Sequence, residues 1–179
     1  MDRPRWRTRA IPSIFPLILA LGPAIAVPSA AQAAGAGCDA GKWPLSAIQA
    51  RFGAAALPAI GNGDALPALG APVLVNLSAQ GDVKFPHAPA RAAKANPAFG
   101  AVVKLGPAPA GTYQITVSDG AWIDLSENGD LVGQSGYVRR RTCAGVDKSI
   151  RFKTGGGPLA IQISGAYARS IKIEAARAE

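Results

Sequence analysis

The second half of the chain is a succession of short apolar runs separated by glycine-rich and proline-rich turns. From Ala101 onward the runs are AVVKL, TYQITV, AWIDLS, DLVGQ, YVRRRT, SIRFK, LAIQIS and SIKIEA, and APVLVNLSA precedes them. In LAIQIS the apolar residues are Leu159, Ile161 and Ile163, so every second side chain points to one face. A period of two with one polar face is typical of antiparallel sheets. The pattern therefore predicts a mainly-β fold, an antiparallel β-sandwich or jelly roll.

One amphipathic segment precedes these strands. In KWPLSAIQARFGAA the residues Leu45, Ile48 and Phe52 recur at helical spacing, Pro44 suits a first turn, and Gly53 suits an end. The spacing predicts a short N-terminal helix with one apolar face.

The first 33 residues have the composition of a secretory signal. Four arginines and one acid precede an apolar stretch, and Ala31-Gln32-Ala33 fits a cleavage site. Prolines interrupt the stretch, which disfavours a retained membrane anchor. We therefore expect residues 1–33 to be a signal peptide, and residues 34–179 to form one domain, periplasmic or secreted, with no membrane span.

Removal of this segment lowers the formal net charge from +8 to +5, because four arginines and one aspartate leave with it. Much of the basicity therefore belongs to the signal. Aromatic residues interleaved with basic ones, which a nucleic-acid platform requires, are few. We expect no nucleic-acid partner.

Two cysteines, Cys38 and Cys143, lie in the exported part. An even number of cysteines in an oxidising compartment favours one disulfide. The alternative is a lipid-modified Cys38, but lipoprotein signals place a bulky aliphatic residue three positions earlier, where this chain has Gly35.

The chain has a single histidine, His87, in the proline-rich stretch FPHAPARAAKANPAFG, which reads as a surface loop. One imidazole with no CxxC motif does not make a metal site, so we expect neither a metal nor a cofactor. Asp119 and Asp124 could perform acid-base hydrolysis of a sugar. No catalytic residue can be assigned from the sequence.

Trp122 and Asp124 are candidate ligand contacts. In AWIDLS, Ile123 and Leu125 alternate with them, so Trp122 and Asp124 should share the outer face if the first pair fills the core. An aromatic ring beside a carboxylate suits sugar binding, whereas the alternative is a purely structural role in the sandwich.

Three consecutive arginines, Arg139, Arg140 and Arg141, are the other candidate contacts. With basic residues of the next strand they could form a face for anionic polymers. The alternative is a solvated strand that carries charge to protect a sheet edge.

The stretch DLSENGD, residues 124–130, could begin a calcium loop or form a hairpin. The twelfth loop position, counted from Asp124, is Ser135, and Asn-Gly is a strong signal for a two-residue turn. The stretch therefore predicts a hairpin between two strands.

GTYQITVSDGAWIDLSENG, CDAGKWPL and KSIRF with GPLAIQISGA together resemble a family of small exported bacterial proteins of unsettled function. The strand region is also similar to jelly-roll domains appended to secreted peptidases. Some family members are labelled homogentisate 1,2-dioxygenase, which implies a non-haem iron site of two histidines and a carboxylate. This chain has one histidine, which disfavours that activity.

The sequence thus favours a non-enzymatic exported β-sandwich that binds a glycan, an envelope component or a protein partner. The alternative is an enzyme, either the dioxygenase or a carboxylate-dependent hydrolase.

Overall fold

The computed structural model describes residues 37–178 and shows a mainly-β protein with two sheets and a short helix. The predicted signal peptide, residues 1–33, lies outside the described residues. The helix α1 spans Ser46–Phe52. The strands are β1 (Ala59–Ile60), β2 (Val73–Asn76), β3 (Ser78–Ala79), β4 (Phe99–Ala108), β5 (Gly111–Val117), β6 (Trp122–Glu127), β7 (Asp130–Val132), β8 (Gln134–Arg139), β9 (Lys148–Thr154), β10 (Gly157–Ala166) and β11 (Ser170–Arg177).

The strands form a six-stranded sheet in the order β1-β2-β11-β5-β9-β8 and a five-stranded sheet in the order β3-β4-β10-β6-β7. All neighbouring pairs are antiparallel except β1 and β2, which are parallel. Alternate residues of both sheets meet in one apolar cluster, including Ile115, Phe152, Ile123, Ile161 and Ile173. The predicted β-sandwich is therefore confirmed.

The outer face of the six-stranded sheet is covered by the N-terminal segment, residues 38–53. Trp43, Leu45, Ile48 and Phe52 are buried there with the two cysteines, Val138 and Val146 in a second apolar cluster. The helix begins after Leu45 rather than at Pro44, and Asp39 Oδ1 accepts the backbone N–H groups of Leu45 and Ser46, each at 2.9 Å. The backbone N–H of Ser46, as the largest cause, lowers the pKa of Asp39.

Polar contacts also hold α1 to the sheet. Arg51 donates from Nε and Nη2 to the carboxylate of Glu174, at 2.8 and 2.5 Å, and Glu174 is only 2% exposed. This hydrogen bond is the main reason that the pKa of Arg51 is raised. Lys172 Nζ donates to the carbonyl of Phe52 at 2.5 Å, which satisfies one of the free carbonyls at the helix end.

The predicted disulfide between Cys38 and Cys143 is present and joins residues 105 positions apart. It ties the N-terminal segment to the loop between β8 and β9. The bond is compatible with an oxidising compartment outside the cytoplasm.

The stretch DLSENGD forms the predicted hairpin. Glu127 pairs with Asp130, and Asn128 and Gly129 occupy the turn with φ values of 52° and 94°, as a type I′ turn requires. The Glu127 carboxylate accepts backbone N–H groups of Gly155 and Gly156, at 3.0 and 2.5 Å. These N–H groups provide hydrogen-bond partners for the Glu127 charge, which lies opposite Asp130 in the strand pairing.

Replacement of both cysteines by serine should lower the free energy of unfolding by about 3–4 kcal/mol, because the bond closes a long loop in the unfolded chain. Urea denaturation of the oxidised protein and the double variant measures this difference. The reduced wild type is the matched control and should unfold like the variant. A loss below about 1 kcal/mol would contradict a stabilising role for the bond.

Candidate functional site

Trp122 and Asp124 lie side by side on the outer face of the five-stranded sheet, as the alternation predicts. Ile123 and Leu125 belong to the core between the sheets. Trp122 Nε1 donates a hydrogen bond to Asp124 Oδ1 at 2.8 Å. The carboxylate therefore fixes the orientation of the indole.

The outer face at Asp124 is not open to solvent, because the proline-rich loop, residues 84–98, passes over it. Asp124 is only 9% exposed, and the backbone N–H of Ala90 lies 3.4 Å from its Oδ2. The backbone N–H of His87 donates to Gln162 Oε1 at 3.0 Å. Alternation along a strand predicts a face, but it carries no information on a distant loop that covers the face.

Beneath the proline-rich loop lies a row of polar side chains. In the β6–β10 pairing, Gln162 is opposite Asp124 and Ser164 is opposite Trp122. Both β10 residues are 1% exposed, and Gln162 Nε2 and Ser164 Oγ have no hydrogen-bond partner among the described residues. Gln162 and Ser164 therefore lie directly beside Asp124 and Trp122 on the outer face of the sheet.

Trp122 forms a wall of two adjoining cavities at the end of the sandwich. Arg91, Trp122 and Lys148 line both, so we name the two together the Trp122 cleft. The first lobe has a volume of about 240 Å³ and is completed by residues including Lys94, Arg139 and Tyr167. The second has about 290 Å³ and is completed by Gln134, Tyr137 and Ile150 with Ile123. The Arg91 guanidinium lies over the indole, 4.5 Å from its centroid.

Lys148 reaches the cleft from inside the sandwich. Ile150 and Phe152 of the same strand fill the core, so Lys148, two residues before Ile150, shares their inward face. Its side chain lies at the end of that core, where Nζ donates to the backbone carbonyl of Ala121. Burial is the main cause that lowers the pKa of Lys148, with opposing smaller effects of Asp147, which raises it, and Arg139, which lowers it.

The three arginines do not form one face. Arg139 lines the Trp122 cleft and is paired with Asp147 at 2.7 Å, which raises its pKa mainly through this hydrogen bond. Strand β8 ends at Arg139, and Arg140 instead donates to the carbonyl of Ala40 at 2.5 Å. Arg141 is exposed and lines, with Arg140, a separate cavity of about 290 Å³ beside Cys143. Of the three arginines predicted to form a basic face, only Arg139 lines the Trp122 cleft.

The basic residues of the next strand are also separated. Arg151 stacks over Trp43, 4.2 Å from its centroid, and donates to Gln114 Oε1 at 3.0 Å. Lys148 points inward, and Lys153 is exposed. These residues therefore present no continuous basic surface.

Arg91 was missed as a candidate, and Lys148 was considered only among the basic residues of the strand after the three arginines. The inward position of Lys148 could have been recognised because its place in KSIRF is in phase with the core residues Ile150 and Phe152. Arg91 lies in an alanine-rich loop with no periodicity, so no local pattern indicates that it covers Trp122.

The iron site implied by the resemblance does not fit these residues. His87 is the single histidine, and its Nε2 contacts the carbonyl oxygen of Gly129. Within residues 37–178 no three His, Cys, Asp or Glu side chains are placed to hold a metal ion.

The two carboxylates considered for hydrolysis lie in different surroundings. Asp119 is exposed, accepts a hydrogen bond from Ser118 Oγ at 2.7 Å, and lines a cavity of about 740 Å³ beside α1. Asp124 lies under the proline-rich loop, with its Oδ1 bonded to Trp122.

No protein family, curated protein or solved structure matches this chain. No helix in the described part of the chain is long and apolar enough to cross a membrane.

The Asp124–Trp122 bond can be tested with two substitutions of similar size. Asp124→Asn keeps an oxygen acceptor for Trp122 Nε1, whereas Asp124→Leu removes it and leaves a donor without a partner. We expect the Trp122 indole N–H resonance to shift much more in the Leu variant, which should also lose about 1 kcal/mol more stability. Trp122→Phe identifies the resonance. Equal shifts in the two Asp124 variants would show that the carboxylate does not position the ring.

The buried Lys148 makes stability depend on pH. Its pKa is lowered in the folded state, so at alkaline pH the unfolded chain binds more protons and stability rises with pH through this group. The free-energy penalty of the buried charge is fully present below the folded pKa of Lys148 and disappears as pH rises to the ordinary lysine pKa of 10.5. The stability of Lys148→Met minus that of the wild type should therefore fall between pH 7 and 10.5 in urea titrations. A difference that does not change with pH would contradict this assignment.

Proposed function

We propose that this protein is an exported, non-enzymatic binding protein that takes a glycan of the cell envelope or its surroundings into the Trp122 cleft. The observation that carries the proposal is a concave site in which an oriented indole lines both lobes. Tyr167 and Tyr137 stand at its sides, 67% and 45% exposed. Aromatic rings beside polar groups pack against the apolar faces of sugar rings while the hydroxyl groups find partners.

The shape of the site favours a glycan over a protein partner. The two lobes are small concave cavities of about 240 and 290 Å³, and Leu131, a large exposed apolar side chain on β7, lines neither of them. A stable protein interface usually buries a broad patch of roughly 800 Å² on each partner. The disulfide and the expected signal peptide support a periplasmic or secreted location.

Binding can be measured on immobilised peptidoglycan, lipopolysaccharide, polygalacturonate and dextran. We expect the wild type to bind at least one of these polymers, and Trp122→Ala to lose about tenfold or more of that affinity, as buried aromatic anchors do. Leu69→Ala is the matched control, since Leu69 is an exposed apolar residue outside the cleft.

Urea unfolding verifies that each variant is folded, and Trp122→Phe, which keeps a ring, should lose less affinity than Trp122→Ala. Wild-type protein that binds no polymer would overturn the proposal. So would equal losses in Trp122→Ala and Leu69→Ala.

A further inference from the structure

The Trp122 cleft carries an excess of positive charge. Its lining includes four basic side chains and one acid, Asp147. Asp147 Oδ1 is bonded to Arg139, and its Oδ2 is buried without a partner among the described residues. The charges of Arg91, Lys94 and Lys148 are not matched by a carboxylate within 4.0 Å in the described part of the chain.

Lys148 is the most constrained of these cations. It is 9% exposed, lines both lobes, and its ammonium has three donors, of which the carbonyl of Ala121 takes one. A buried ammonium without a counter-ion is unfavourable, and an anion beside it recovers the lost solvation. Burial of the ammonium is the main cause of the lowered pKa of Lys148, and the nearby Asp147 only partly opposes it.

Arg91 offers a complementary donor set. Its guanidinium lies over the indole of Trp122, and no described residue accepts a hydrogen bond from it. The N–H groups of Arg91 are therefore available to a ligand. These groups bind a carboxylate or phosphate in a bidentate manner.

Resting on the proposed function, we infer that the ligand is an acidic glycan whose sugar carries a carboxylate or phosphate group bound by Lys148 and Arg91. Trp122 contacts the sugar ring, and the two cations bind its anionic substituent. Neutral glycans leave the Lys148 ammonium uncompensated and bind weakly.

The test compares matched polymers that differ only in charge. Polygalacturonate is paired with its carboxyl-reduced form, and lipopolysaccharide with its dephosphorylated form, at about 150 mM salt to screen distant charges. We expect the wild type to bind at least one charged polymer about tenfold or more tightly than its neutralised counterpart. The pair that shows the difference identifies the anion as carboxylate or phosphate.

Charge-removing variants assign the effect to the cleft. Lys148→Gln and Arg91→Gln should each lose about tenfold or more of the affinity for the charged polymer. Lys153→Gln is the matched control, because Lys153 is on the same strand but is exposed and outside the cleft, and it should change affinity less than about twofold. If Lys148→Gln does not fold, Arg91→Gln in the exposed loop and the wild-type polymer pairs still decide the outcome.

Each remaining outcome discriminates between the two proposals. Equal binding of charged and neutralised polymers would overturn the acidic ligand and leave glycan binding in place. Equal losses in Lys153→Gln and Lys148→Gln would assign the binding to diffuse charge and likewise overturn the inference. Failure to bind any polymer, charged or neutral, would overturn both.

Discussion

Two sheets share one apolar core. Because side chains alternate along a strand, the residues that fill this core determine which of the remaining strand residues face outward. Burial of apolar surface contributes roughly 25 cal/mol per Å², so a slip of β6 by one residue would be costly. Such a slip would turn Ile123 and Leu125 outward and place Trp122 and Asp124 between the sheets. The location of the indole is thus a consequence of core packing, and Asp124 only sets its orientation.

The outer faces of the two sheets are covered by segments that are held in place by different interactions. The N-terminal segment covers the six-stranded sheet with an apolar cluster, a disulfide and the Arg51–Glu174 pair. The proline-rich loop covers the five-stranded sheet mainly through backbone N–H groups bonded to Asp124 and Gln162, and Ala95 is its one buried apolar side chain within residues 84–98. Segments with few buried apolar contacts open at low free energy. Arg91, which lines the cleft, therefore lies in the proline-rich loop, the covering segment that opens at the lower free energy.

Much of the fold follows from local sequence patterns. Period-two alternation predicts the strands, helical spacing predicts α1, Asn128-Gly129 predicts the hairpin, and cysteine pairing predicts the disulfide. The pairing order of the strands does not follow, because partners such as β5 and β11 are distant in the chain.

The candidate site was predicted only in part, for a related reason. Trp122, Asp124 and Arg139 lie at or beside the cleft, but consecutive arginines diverge where β8 ends and a loop begins. Arg91 and Lys148 come from a distant loop and from the opposite sheet. In a site assembled across the end of a sandwich, the pattern of one strand does not show which residues of other elements join it.

At Lys148 a charged residue occupies a strand position that faces the apolar core. Its inward phase on β9 would suit an apolar side chain, which would extend the packing of Ile150 and Phe152 to the end of the core. The long methylene stem of lysine can follow that apolar surface while the ammonium reaches the rim. The rim, however, supplies one carbonyl and other cations, and its one carboxylate, Asp147, is bonded to Arg139. Sequences depart from consistent packing mainly at functional sites, where a ligand supplies the interaction that the fold omits. The anionic ligand that we propose beside Trp122 would supply that interaction, and it would link the unfavourable burial of Lys148 to the open wall of the cleft.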